Sequence, residues 1–223
     1  MKSTPFRRTH GLSIIELMVG LAIGLIVVSA APLAWANQLR ETRQLTLETR
    51  LMQDLRTTTD LITRDLRRAG HWSDAQAGVW QGAGTAVQAQ PPSRIEVTAE
   101  AVNFSYSSPS SSGQGGDAHD QFGYRLRDGV IEMRLGADGA WQALTDAGTL
   151  FVTRLHFSNE TRTEPLDKLC GRPCPDSSTC PRQEVNRIAL SINVRSARDP
   201  FLTRGSQSTV RVRNDHLSGA CPT

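Results

Sequence analysis

Hydrophobic and polar positions along the chain fall into three regimes. From Leu12 to Ala36 the string LSIIELMVGLAIGLIVVSAAPLAWA is apolar on every face, and Glu16 is its only ionisable residue. A helix of this length reaches roughly 37 Å, enough to cross a hydrocarbon core of about 30 Å. From Asn37 polar residues take over, with neither Pro nor Gly between Gln38 and Ala69. Apolar residues recur there at Leu51/Met52, Leu55, Leu61/Ile62, Leu66 and Ala69, with Thr58/Thr59 bridging the gap. That spacing predicts a helix with one apolar stripe, packed on the chain's own globular domain. Arg64, Arg67 and Arg68 suit the negative end of a helix dipole, and Gly70 supplies a residue to end it. A helix unbroken from Leu12 to Ala69 would be roughly 87 Å long, far beyond an ordinary globular helix.

Beyond Gly70 the period drops toward two. Strands are expected at Arg94–Thr98, Phe122–Arg127, Val130–Leu135, Trp141–Leu144, Phe151–Phe157, Val185–Val194 and Val210–Val212. Asp128-Gly129 between two of them is a hairpin signal, and Asp138-Gly139 marks a further turn. Residues 73–92, running up to Pro91-Pro92, and the Ser/Gly stretch Ser107–Gly116 read as loops. The fold class is α+β: one long N-terminal helix packed against an antiparallel sheet of about six to seven strands.

Charge sharpens the N-terminus. The 223 residues carry 25 Lys+Arg against 22 Asp+Glu, a formal net charge of +3. Lys2, Arg7 and Arg8 fall within the first eleven residues, which hold no acid, and beyond them the two signs balance. No basic field remains to steer nucleic acid, so nucleic acid is not an expected partner. The early charges are a topology signal instead. They keep Met1–Gly11 in the cytoplasm and send the remainder outward, since no further positive charge occurs before Arg40. A secretory signal peptide would end at Ala34-Trp35-Ala36, but the apolar run exceeds an h-region of roughly 7–15 residues. A plain anchor fits the length. Neither explains Glu16, because a carboxylate inside the bilayer costs about 2.5–3.5 kcal/mol and calls for a partner.

The string Gly11-Leu12-Ser13-Ile14-Ile15-Glu16-Leu17 resembles the class III signal of type IV pilins and pseudopilins. The resemblance implies cleavage between Gly11 and Leu12 by a prepilin peptidase and methylation of the new amine of Leu12. It also implies that Glu16 serves assembly by pairing with a subunit's N-terminal amine. Phe is the usual residue where Leu12 stands. Leu12 and Glu16 are four apart and share a helix face, and a carboxylate costly in lipid gains by meeting a cation inside a packed filament. Pro32 falls where family members have a kink. Gly20 and Gly24 form a small-x-x-x-small pair that either permits close helix approach or reflects the general frequency of Gly in membrane helices. Asp65-Leu66-Arg67-Arg68-Ala69-Gly70-His71-Trp72 is similar to the run closing the long helix in the PilW family of minor pilins, with His71 at the usual aromatic position. Pseudopilin J of type II secretion is the close relative. Val210–Asn214 resembles the last strand of both families, and Gly115-Gly116-Asp117 loosely resembles a run that precedes a strand in PilW proteins. The resemblance divides the chain into a leader over 1–11, a transmembrane helix over 12–36, its amphipathic continuation over 37–70 and a periplasmic β-rich domain over 71–223.

The four cysteines are Cys170, Cys174, Cys180 and Cys221. Their spacing lacks the paired C-x2-C of zinc ribbons, and the topology places them where disulfides persist, so two disulfides are expected rather than a metal site. Three pairings are possible and the sequence does not separate them; the expectation is only that Cys221 is tied to the 170–180 loop, stapling the C-terminus. The histidines, His10, His71, His119, His156 and His216, assemble no catalytic constellation. Asp117, His119 and Asp120 read as a solvated loop, and His156 as a strand-face residue. Arg125, Arg127 and Arg134 alternate with Asp128 and Glu132 as an ordinary charged face. No catalytic residue, metal or cofactor is expected, and the chain reads as a non-enzyme.

The resemblance implies a minor pilin that primes a type IV pilus and sits at or near its tip. Its partners would be other minor pilins, the major pilin, the prepilin peptidase, the inner-membrane assembly platform and, before assembly, inner-membrane lipid. It would be a single-pass inner-membrane protein with a periplasmic C-terminal domain, later part of a pilus at the cell surface. A minor pseudopilin of a type II secretion system is the alternative, and a secreted enzyme cleaved after Ala36 the second alternative.

Overall fold

The computed structural model describes residues 11–71, 95–106, 121–136, 139–175 and 179–222, without the side chains of residues 30, 31, 33 and 34. The leader 1–10, the loops at 73–92 and 107–116, Trp72, Arg94, Asp117, His119, Asp120 and Asp138 lie outside the described residues. The chain divides into two compact units, Met1–Leu47 and Glu48–Thr223. Helix α1 (Ile14–Arg68) contributes to both.

In the first unit the described side chains of α1 are exposed from its start to Thr46. In the second unit α1 buries Leu51, Leu55, Thr58, Thr59, Ile62, Thr63 and Leu66, and Ala69 just beyond its end is buried too. These positions recur every three or four residues, with the adjacent pairs Thr58/Thr59 and Ile62/Thr63 widening the stripe, so they line one face. Two residues expected in that stripe sit elsewhere: Met52 is 42% exposed and Leu61 is half-buried. The helix ends because Gly70 takes φ 71°, a left-handed conformation that turns its N–H out of the helix and onto the Ser105 carbonyl at 2.8 Å.

Two antiparallel sheets build the rest of this unit, where one was expected. The first has five strands in chain order: β1 (Glu96–Val97), β2 (Ala101–Ser105), β3 (Gln121–Arg127), β4 (Val130–Leu135) and β5 (Trp141–Ala143). The second contains β6 (Leu150–Pro165), β7 (Arg182–Ser196), β8 (Thr203–Arg211) and β9 (His216–Ser218), with β8 and β9 both paired to β7. A short 3-10 helix, Asp167–Leu169, lies between β6 and β7. The sheets meet along β6, where Val152 N–H donates to the Gly129 carbonyl at 2.8 Å and Phe157 N–H to the Ala99 carbonyl at 3.1 Å.

Helix α1 closes the core of both sheets. On the first, Phe104, Tyr106, Phe122 and Tyr124 stack on one another, with ring centroids of Tyr106 and Phe122 only 4.2 Å apart. The Tyr124 hydroxyl donates to Asp65 Oδ2 at 2.6 Å, and the Arg68 guanidinium lies 4.4 Å over the Tyr106 ring. Burial, reinforced by the Asp65 hydrogen bond and charge, raises the Tyr124 phenol far above its ordinary range, so it remains a donor at any physiological pH. On the second sheet the Thr59 and Ser206 hydroxyls are hydrogen-bonded at 3.1 Å, Arg204 pairs with Glu48, and Arg213 N–H reaches the Arg67 carbonyl at 3.3 Å.

The β3–β4 hairpin turns at Asp128 (φ 51°) and Gly129 (φ 77°). Consecutive positive φ values are the type I′ geometry that an Asp-Gly pair favours. A Cβ at Gly129 would also collide with the Phe151 ring. Gly129→Ala is therefore expected to destabilise the protein by about 2–4 kcal/mol, combining left-handed strain with overpacking. Urea denaturation measures it; an unchanged midpoint would show that the turn relaxes without cost.

Candidate functional site

The chemistry singled out by the sequence lies at the start of α1. The Ser13 carbonyl accepts from Glu16 N–H at 3.0 Å and Leu17 N–H at 3.1 Å, which makes Ser13 the last residue before the helix. Gly11, Leu12 and Ser13 are non-helical, so the Gly11–Leu12 peptide bond lies in backbone with no helical hydrogen bonds to break. Nothing approaches within 4 Å of where a Cβ on Gly11 would stand, and Leu12 is 76% exposed. Glu16 sits in the first turn of α1, exposed among Ile14, Ile15, Leu17 and Met18.

The apolar side chains that follow, from Val19 through Val28 to Trp35, are also exposed. Burying one such side chain is worth about 1.5–3 kcal/mol, so this surface has no stable place in water and requires lipid or other helices. Gly20 and Gly24 have open space where a side chain would be. Among the described residues no helix is long and apolar enough to cross a membrane. The expected span over 12–36 includes residues 30, 31, 33 and 34, whose side chains lie outside the description. The uninterrupted stretch 14–29 falls short of the roughly 20 residues that a crossing needs.

The cysteines form Cys170–Cys221 and Cys174–Cys180, with Cα–Cα distances of 5.4 and 6.0 Å. The first ties the chain beyond β9 to the end of the 3-10 helix, and the second closes a small loop before β7. Among the described residues no group of three or more His, Cys, Asp or Glu could hold a metal ion. His156 is half-buried in β6 opposite Ser191, and His216 opens β9. Of the three arginines of the first sheet, Arg127 is exposed and lies 3.7 Å from Asp128, whereas Arg125 and Arg134 are held within the sheet. Arg125 Nε donates to Glu132 at 2.7 Å, Arg134 donates to Asn103 at 3.3 Å, and both guanidinium groups lie against Trp141. Trp141 fits there because Gly123 leaves room: a Cβ at Gly123 would lie 3.1 Å from the indole.

Three features of this unit have no counterpart in the expectations from sequence: the Asp65–Tyr124 hydrogen bond, the Glu48–Arg204 pair and a groove beside α1. The first two had a weak signal, an acid on or next to the apolar stripe. The third had none.

Residues 6–32 match the prokaryotic N-terminal methylation motif. That match, together with the helix start at Ser13 and the exposed apolar half of α1, defines a pilin-like protein whose N-terminus implies anchoring in the inner membrane before assembly. Residues 44–212 match the family of prepilin peptidase-dependent protein B, and the chain belongs to that family. Pilin-like families of this kind are typically structural rather than enzymatic. Neither the curated proteins nor the solved structures compared with the chain include a match.

Proposed function

We propose that the protein is a minor pilin of the PilW kind, which primes assembly of a type IV pilus and stays at or near its tip. The observation that carries this reading is the division of labour within α1. Its apolar stretch up to Ala36 exposes its described side chains and carries one carboxylate, Glu16, whereas its second half buries a single stripe in its own domain. The first arrangement needs neighbouring helices, and the second supplies a folded head to be carried. On this reading the peptidase cuts between Gly11 and Leu12, where the backbone is non-helical and exposed, and Leu12 is then N-methylated. The new amine and Glu16 become the two halves of an intersubunit ion pair. Residues 12–36 wait in the inner membrane, 71–223 fold in the periplasm, and the assembly platform delivers the subunit to other minor pilins and the major pilin.

N-terminal mass analysis of the mature protein tests the proposal. N-methyl-Leu12 is the expected terminus, with the full precursor accumulating when the peptidase is absent. A terminus at Asn37 would replace this reading with that of a secreted protein cleaved after Ala36.

A further inference from the structure

Beside α1, facing the β5–β6 connection, lies a groove of about 660 Å³ that neither the core nor the Glu16 chemistry uses. Half-buried Leu61 and Leu144 give it an apolar floor. Asp54, Asp60 and Asp146 stand around it with a single cation, Arg64. None of these four takes part in an ion pair among the described residues. The Asp146 carboxylate accepts one hydrogen bond, from Gly148 N–H at 2.8 Å. The groove therefore combines an uncovered apolar strip with two negative charges in excess.

The same chain carries the complement. Arg40 and Arg43 are exposed, three residues apart on one face of α1, and unpaired among the described residues. Leu39 lies next to Arg40 and four residues before Arg43, and is 47% exposed. An exposed leucine followed by two arginines, with Glu41 between them, complements in sign a floor of leucines rimmed by carboxylates.

We propose that this groove seats α1 of a second copy of the chain, with Arg40 and Arg43 of that copy against Asp54, Asp60 and Asp146 and its Leu39 over Leu61 and Leu144. The inference rests on the assembly reading, because association of the apolar halves of α1 is what brings two such helices side by side. Charges of this kind set register and partner choice more than affinity, and salt weakens them.

The test uses two differently tagged full-length copies in detergent micelles, with co-capture as the readout. Asp54→Arg with Asp60→Arg in both copies, or Arg40→Glu with Arg43→Glu in both, is expected to lower co-capture about tenfold, the order of one well-placed charge contact. Mixing a groove-reversed copy with a segment-reversed copy matches either groove to the other copy's segment and is expected to bring co-capture back to within about threefold of wild type. Intact mass with both disulfides formed and an unchanged circular dichroism spectrum establish that each variant is folded. If a reversal unfolds the protein, Asp54→Asn with Asp60→Asn replaces it, with an expected loss of about threefold. No wild-type co-capture, co-capture indifferent to both reversals, or mixing without recovery would each overturn the inference. The assembly reading is judged separately through Glu16: a filament defect in Glu16→Ala beside indifferent charge pairs removes only the groove.

Discussion

Glu16→Ala is expected to vanish from sheared filaments while remaining in the membrane fraction at wild-type abundance. In the bilayer the carboxylate is a burden of about 2.5–3.5 kcal/mol, so its removal eases insertion. In a filament, on the proposed assembly, it would face the amine released at Leu12 of a neighbour. Deleting one partner of a buried pair costs about 3–5 kcal/mol, because the other charge stays buried alone, and that is more than about a hundredfold in an equilibrium. Glu16→Gln keeps the shape and loses the charge, so it should fail nearly as badly. Immunoblots of sheared filaments and washed membranes separate the two compartments. Normal incorporation of Glu16→Ala would end the role assigned to this residue.

Loss of the Cys170–Cys221 bridge is expected to be the largest stability effect in the globular unit. It closes a loop with a sequence separation of 51, against 6 for Cys174–Cys180. Loop-closure entropy assigns about 4 kcal/mol to the first and about 2 kcal/mol to the second. For a domain of this size that difference reads as a fall in Tm of about 8–16 °C for Cys170→Ser with Cys221→Ser and about 4–8 °C for Cys174→Ser with Cys180→Ser. Without the longer bridge the chain from Ser218 onward still has hydrogen bonds such as Ala220 N–H to the Thr179 carbonyl at 3.1 Å and Arg182 Nε to the Ser218 hydroxyl at 3.0 Å, but no covalent tie. Calorimetry on both double variants checks the ranking, and equal losses would refute the entropic account.

The elements legible in the sequence are those whose signal is local. The buried stripe of α1 repeats at helical spacing, Gly70 marks its end, and Asp128-Gly129 marks the hairpin. What escaped depends on residues far apart. In β8 the inward positions include Ser206 and Ser208, which meet a helix face of threonines rather than leucines, so no apolar alternation betrays the first seven residues of the strand. The outer parts of β6 and β7, from Ser158 opposite Ala189 to Pro165 opposite Arg182, are held largely by strand pairing, and their polar composition hides them. β2 shows only Val102 and Phe104 as apolar side chains pointing inward, too few to stand out. The second sheet was missed with these strands. The start of α1 was readable for the opposite reason: a lone carboxylate in an apolar run costs so much that its presence demands an explanation. The groove combines about three turns of helix with a strand connection eighty or more positions later, which no window on the sequence unites.

The contact between Thr59 and Ser206 spans 147 positions. The helical stripe is made early in the chain, yet the surface that shields it from water arrives with one of the last strands. Folding of this unit is thus governed by non-local closure and belongs to the slow end of the range for its size. During the interval the stripe of Leu51, Leu55, Ile62 and Leu66 is an adhesive surface, and on the proposed topology a holdase that covers amphipathic helices is expected to raise the yield of native protein.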